Sequence, residues 1–204
     1  MKITYLHHSG FSVETETKVL LFDYYTEGGR KAYFDPAAYP DKAVFVFVSH
    51  AHEDHYDRRI LSWAKLPNVR YVLSFDVRTE ASFEGRVLRA EPHRTYDFDG
   101  ISIQTLRSND EGVAFLVKAD GKTIYHAGDL NWWHWNGEPD GFNADIEKSY
   151  TTEINRLKGE KIDVAFADGI LRPGMPVVAY LPNGKFIMVY EMVNQDRIPV
   201  YFRI

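Results

Sequence analysis

The sequence predicts a mixed α/β fold, and three features predict it. The N-terminus reads as a strand-rich meander. The run Ala43–Val48 is β-branched and aromatic, as suits a strand covered on both faces. One later stretch has helical spacing and lies between strand-length apolar runs. With 204 residues, 45% of them hydrophobic and 15% aromatic, the chain can bury one substantial core in one or two domains.

Short apolar runs at 3–6, 11–13 and 19–22 are separated by turn residues, the pattern of successive meander strands. The run AVFVFV then ends abruptly at Ser49-His50. Residues 57–65 have the spacing of a short helix with Asp57 as N-cap, and Pro67-Asn68 breaks it before a strand at 71–73, so a β-α-β unit results. From 87 to 126 the pattern returns to strands, with Asp99-Gly100 and Asp120-Gly121 as hairpin turns. Residues 143–158 read as an amphipathic helix with Ile146, Tyr150, Ile154 and Leu157 on one face and Gly159 as C-cap, ahead of a buried strand at 162–167. Past Ala167, Pro173, Gly174, Pro176, Pro182 and Gly184 crowd strand-length runs. They predict a hairpin of 177–181 with 186–190, turning through Pro182-Asn183-Gly184.

The formal net charge of -5 offers no basic field to gather nucleic acid or anionic lipid, so the expected partner is a small-molecule substrate, with neither nucleic acid nor membrane. Zero cysteines exclude disulfides, thiolate zinc sites and cysteine nucleophiles, and any metal must sit on imidazole and carboxylate. Residues 1–5 run straight into a strand pattern without the regions of a signal peptide, and no apolar run approaches membrane-spanning length. A cytoplasmic protein is expected.

The segment Ser49-His50-Ala51-His52-Glu53-Asp54-His55 places three of the chain's eight histidines and a carboxylate within six residues at the end of a buried strand. If the backbone stays extended, His50 and His52 share a face while Asp54 and His55 fall on the following turn. Two groups of ligands can then face two neighbouring metals. The alternative is a solvated polar loop, but nothing structural requires such a density. The spacing is not that of the zincins, since Glu53 is followed by Asp54 and then His55.

His-x-His-x-Asp-His after an apolar strand resembles the motif of the metallo-β-lactamase superfamily, and the likeness covers about residues 1–167. Tyr5-Leu6-His7-His8-Ser9-Gly10-Phe11 and Leu20-Leu21-Phe22-Asp23 are similar to the family's first strands. Ile124-Tyr125-His126-Ala127-Gly128-Asp129 is similar to the strand that ends in its metal-bridging aspartate. The resemblance implies an αββα sandwich, with His50 and His52 on a first metal, Asp54 and His55 on a second, and Asp129 between them. It implies one or two Zn²⁺ ions, with Mn²⁺ or Fe²⁺ as alternatives, a metal-bound hydroxide as nucleophile, and Asp54 as the catalytic residue that handles the proton. Taken alone, Asp129 would equally suit a Gly-Asp turn.

Two departures stand out. Where relatives supply another histidine to the first metal, this chain reads Arg107-Ser108-Asn109-Asp110-Glu111-Gly112, leaving Asp110 as a substitute oxygen ligand or a turn residue. No histidine follows His134, so the second metal lacks the final ligand that the resemblance implies. The tail 168–204 instead resembles the opening blade of sialidase-like β-propeller glycosidases. It is expected to form an atypical β-hairpin in place of the usual C-terminal part, which leaves the sandwich incomplete at its C-terminal half and favours marginal stability or a homo-oligomer. His8, Trp132 and His134 are candidates to line a substrate pocket, with structural packing as the alternative for each. His126 is expected to be packed and His93 to lie on the surface. The function implied is a metal-dependent hydrolase of small-molecule esters, lactones, amides or phosphoesters. The alternatives are a degenerate, non-catalytic metal-binding domain and a di-iron oxidoreductase.

Overall fold

The computed structural model describes residues 1–26, 34–79, 83, 85–133, 135, 137–168, 187–189 and 201–202. Two sheets face each other. The first has strand order β1-β2-β3-β4-β5-β6, formed by β1 Lys2–His7, β2 Gly10–Glu14, β3 Lys18–Phe22, β4 Ala43–Val48, β5 Val69–Ser74 and β6 Val87–Ala90. The second contains β7 Thr95–Phe98, β8 Ile101–Arg107, β9 Val113–Ala119, β10 Lys122–His126, β11 Val164–Asp168, β12 Ile187–Val189 and β13 Tyr201–Phe202, in the order β13-β12-β11-β10-β9-β8-β7. In the first sheet β1, β2 and β3 pair antiparallel, whereas β3 to β6 run parallel.

Alternation explains why the strand runs are apolar throughout. In β4 the side chains of Phe45 and Phe47 enter the core between the sheets, while Val44, Val46 and Val48 pack on the outer face under a 3₁₀ helix. The same split places Leu20 and Phe22 inside and Val19 and Leu21 outside. Phe22 stacks on Phe47 at 4.7 Å, and Phe47 meets Phe115 of the opposite sheet edge-on at 5.3 Å, so aromatic contacts tie the two layers together.

The helix expected at 57–65 is a 3₁₀ helix, Arg58–Lys65, and Asp57 caps it by accepting from the Arg59 N–H at 2.9 Å. Three residues per turn set Ile60 and Trp63 one above the other, and both pack against the outer face of the first sheet. On the second sheet, α1 Asp140–Ile154 starts three residues earlier than expected, after Pro139, and continues as a 3₁₀ turn at Asn155–Leu157. Tyr150, Ile154 and Leu157 bury against Leu106, Leu116 and Tyr125. The layers are therefore helix, sheet, sheet, helix.

Both expected hairpin turns are present, with positive φ at Asp99 and Gly100 and at Asp120 and Gly121, the backbone that a two-residue turn between twisted strands requires. In the tail, β12 pairs parallel with β11, and β13 pairs antiparallel with β12. Both strands extend the edge of the second sheet. The first arm of the expected hairpin, 177–181, and its turn lie outside the described residues. No helix among the described residues is long and apolar enough to cross a membrane.

Candidate metal centre

The carboxyl ends of β3, β4 and β10 and the turns joining β1 to β2 and β8 to β9 meet at one edge of the sandwich. Asp23 lies just past β3, fully buried, with a φ of 40°. Its Oδ1 accepts the Ser49 N–H at 2.7 Å, and its Oδ2 accepts the Ser49 hydroxyl at 2.6 Å and His55 Nδ1 at 2.8 Å. Burial pushes this carboxyl up, but the His126 and His55 imidazoles and the bond to His55 outweigh it and hold Asp23 well below the usual carboxylate range.

This network decides the tautomer of His50. Because an ionised carboxylate only accepts, the Ser49 hydroxyl must donate to Asp23, and Ser49 Oγ is then the acceptor for His50 Nδ1–H at 2.9 Å. The lone pair therefore sits on His50 Nε2. That atom is buried and has no hydrogen-bond partner among the described residues. Burial, with the charge of His55, pushes the imidazole down, so it stays neutral, the form that ligates a metal.

His55 differs. Its Nδ1 meets Asp23 and its Nε2 meets Asp129 Oδ1 at 3.1 Å, and two acceptors require both nitrogens to carry hydrogen. Burial opposes the charge, yet the bonds to Asp129 and Asp23 raise the group to about 11. Asp129, after β10, turns its other oxygen, Oδ2, toward His50 Nε2 at 3.5 Å. Burial raises its carboxyl, and the bond from His55 more than offsets this.

Two groups of donors result, and within each the donor atoms lie within 4.8 Å of one another: His50, His52 and Asp129 in the first, and His8, Asp54 and His55 in the second. His52 and Asp54 are about half exposed, at 45% and 48%, and open to the solvent side, whereas His50 and His55 close the inner wall. Asp54 Oδ2 lies 3.1 Å from His8 Nε2, and that bond holds its carboxyl well below the usual range. Imidazole and carboxylate donors that converge around an orphaned buried nitrogen fit a divalent metal.

The other candidates fall out as follows. Asp110 is exposed and belongs to neither group. Its neighbour Glu111, which sequence reasoning passed over, brings Oε2 within 3.5 Å of His52 Nε2. Gly112 sets that turn: a Cβ there would lie 2.0 Å from the Ser49 carbonyl oxygen and 2.6 Å from His50 Cβ. Trp132 is half-buried and packs toward Tyr150 and the α1 cluster. Trp133 Nε1 donates to the Asp129 carbonyl at 3.3 Å, and His134 lies outside the described residues. His126 is buried and stacked on Phe22, with Nε2–H to the Ser9 carbonyl and Nδ1 accepting from the Gly128 N–H. His93 is exposed, but its Nε2 bonds Glu153 of α1 at 2.9 Å. Asp23 was also missed as a site residue, although the sequence placed it at the end of a family-like strand.

A family model, the beta-lactamase superfamily domain, matches residues 2–140. The chain belongs to the metallo-β-lactamase superfamily. As a member it is 30% identical over 142 residues to a UPF0173 metal-dependent hydrolase of Pyrococcus abyssi, a match covering 63% of this chain and 61% of that one. It is 31% identical over 145 residues to a UPF0173 metal-dependent hydrolase of Geobacillus thermodenitrificans, with 63% of each covered. The chain thus spans under two thirds of the length of these relatives. The fold is also similar to that of Igni18, a novel metallo hydrolase from Ignicoccus hospitalis. The TM-score is 0.52 at 18% identity, covering 81% of this chain and 69% of that one. The propeller likeness of the 168–204 tail finds no support in these matches.

Proposed function

We propose that the chain is a metal-dependent hydrolase of small-molecule esters, lactones, amides or phosphoesters, working at a two-metal centre carried by residues 1–167, with Zn²⁺ as the first candidate ion and Mn²⁺ or Fe²⁺ as alternatives. The observation that carries this reading is the orientation of Asp129, whose two oxygens face His55 and His50 separately, as a carboxylate shared between two ions would. His50 and His52, with Glu111 beside them, would hold the first ion; Asp54 and His55, the latter giving up its Nε2 proton, would hold the second. Bound metal supplies Lewis acidity toward a carbonyl or phosphoryl oxygen and a water-derived nucleophile at neutral pH.

The chain's own residues do the rest. Asp23 and Ser49 fix the His50 lone pair toward the cleft. Asp54, half exposed at the mouth of the cleft, is the residue placed to handle the proton of an attacking water. His8 and Trp132, with His134, are the candidates for the pocket wall. The acidic composition suits work on small molecules rather than on nucleic acid, and the proposed setting is the cytoplasm.

Elemental analysis of protein purified without chelator is expected to find one to two ions per chain, fewer in His52→Ala. Lactone, thioester and phosphodiester substrates with added Zn²⁺, Mn²⁺ or Fe²⁺ should show metal-dependent turnover that Asp54→Ala abolishes. Metal-free protein would overturn the proposal. Bound metal without turnover would leave a non-catalytic binding domain, a reading favoured by the lack of any histidine after His134.

A further inference from the structure

We infer, resting on the hydrolase reading above, that Trp133 and Trp135 form an aromatic subsite beside the metal centre, and that it takes a neutral aryl group carried by an ester, lactone or amide substrate. Both residues lie on the loop joining β10 to α1, downstream of Asp129.

Their position comes from how the loop distributes its aromatic side chains. Trp132 turns inward and packs toward Tyr150 of α1 at 6.2 Å. Trp133 and Trp135 pair with each other instead, their rings stacked with centroids 6.1 Å apart and planes inclined by 29°. Trp133 spends its one polar atom, Nε1, on the Asp129 carbonyl at 3.3 Å. Its indole therefore sits against the backbone of the residue whose carboxylate faces His50 and His55. From there the aromatic surface runs outward, from half-buried Trp133 to Trp135, which is 55% exposed.

A single exposed apolar side chain is ordinary on a protein surface. Trp135 differs because its backbone is fixed. Asn143, buried in the first turn of α1, accepts the Trp135 N–H at 2.8 Å through Oδ1 and donates to the Trp135 carbonyl at 3.2 Å through Nδ2. Both polar ends of a poor helix former thus serve one residue of the loop. Upstream, Asn109 donates to the Asn131 carbonyl at 2.6 Å and accepts the Asn131 N–H at 3.1 Å, which ties the start of the loop to the β8–β9 turn. Holding the rings in place beforehand removes an ordering cost that a ligand would otherwise meet. Charge narrows the ligand further. Residues 130–143 include Glu138 and Asp140 but no lysine or arginine, so a phosphate or carboxylate finds no cation on the loop. Flat indole faces favour a flat, uncharged ring.

The test uses the full chain labelled with fluorotryptophan, whose four signals are assigned by replacing each tryptophan in turn. Neutral N-methyl naphthylacetamide is titrated into metal-free protein and followed by fluorine NMR, with N-methylacetamide as the control lacking the ring. Saturable binding that shifts the Trp133 and Trp135 signals and leaves Trp63 unmoved is expected for the aryl amide only. Trp135→Ala should weaken it by about 3–10-fold. Asn143→Ala should weaken it as well, although both rings remain, and the Trp63 signal reports that each variant is folded. In Co²⁺-loaded protein the paramagnetic ion should broaden the proton signals of the bound amide. Binding that Trp135→Ala leaves unchanged, or that moves only Trp63 or Trp132, overturns the inference and spares the metal centre. So does a bound amide that Co²⁺ does not broaden, or a Trp135 signal that shifts with protein concentration alone, which would mark a contact between two copies of the chain. Protein that takes up no Co²⁺ overturns both readings.

Discussion

Asp23 accepts three hydrogen bonds while fully buried, and each one places a group that faces the cleft: the Ser49 backbone, the Ser49 hydroxyl and the His55 ring. Asp23→Asn keeps the shape and tolerates the positive φ, but an amide turns one acceptor into a donor and leaves His55 facing it. It is expected to lower the unfolding free energy of the apo protein by about 3 kcal/mol, measured by denaturant titration. At this scale the sequence disclosed the residues that sit together in the chain. His50, His52, Asp54 and His55 fall in six consecutive positions, so their proximity needed no fold to bring it about. Asp23 lies 32 residues from His55, and only the parallel pairing of β3 with β4 brings them together. The approach of Glu111 to His52 was equally closed to sequence, because side-chain direction loses its two-residue period in a turn.

Among the elements, the β9–β10 hairpin does more than join two strands. At its turn, Asp120 accepts from the Thr15 hydroxyl and the Thr17 N–H at 2.7 Å, from the Thr17 hydroxyl at 2.8 Å and from Lys18 Nζ at 3.0 Å, clamping the second sheet to the β2–β3 turn of the first. Although burial pushes this carboxyl up, those donors outweigh it and hold it below the usual range. A lowered folded value means that the clamp stabilises at pH above the unfolded value of about 3.9, and that its contribution is lost as pH falls through the folded value. Asp120→Asn, which keeps the turn, should cost about 1–2 kcal/mol at pH 7, with the gap to wild type narrowing below about pH 4 in urea melts. An equal gap at both pH values would show that charge plays no part. Asp-Gly between apolar runs was legible because only such residues adopt that backbone cheaply. The 3₁₀ character of Arg58–Lys65 was not, since a spacing of three serves Ile60 and Trp63 in either kind of helix. In the tail, β12 falls within the expected run 186–190, whereas β13 was not foreseen, and the pairing of β12 was not legible because a parallel partner such as β11 leaves no local trace.

For the molecule as a whole, a metal that binds only the folded state should raise stability by mass action. At a free concentration about 100-fold above Kd the gain is about 2.7 kcal/mol, which for a chain of this size corresponds to a rise of about 5–10 °C in Tm. A thermal scan with and without Zn²⁺, reversed by a chelator, measures it, and an unmoved Tm would speak against any resident ion. The layered architecture was readable from strand and helix patterning together, because the alternation in AVFVFV already demanded cover on both faces. A last consequence follows from the Val113 N–H donating to the Ser49 carbonyl at 2.9 Å. That bond fastens one layer of the sandwich to the other beside His50, while Asp129 reaches across from the same second layer. The cleft is thus a gauge of how the layers are seated. A packing defect deep between them, at Phe47 or Phe115, would misalign donors from opposite layers and weaken ion capture while the strands themselves stayed intact.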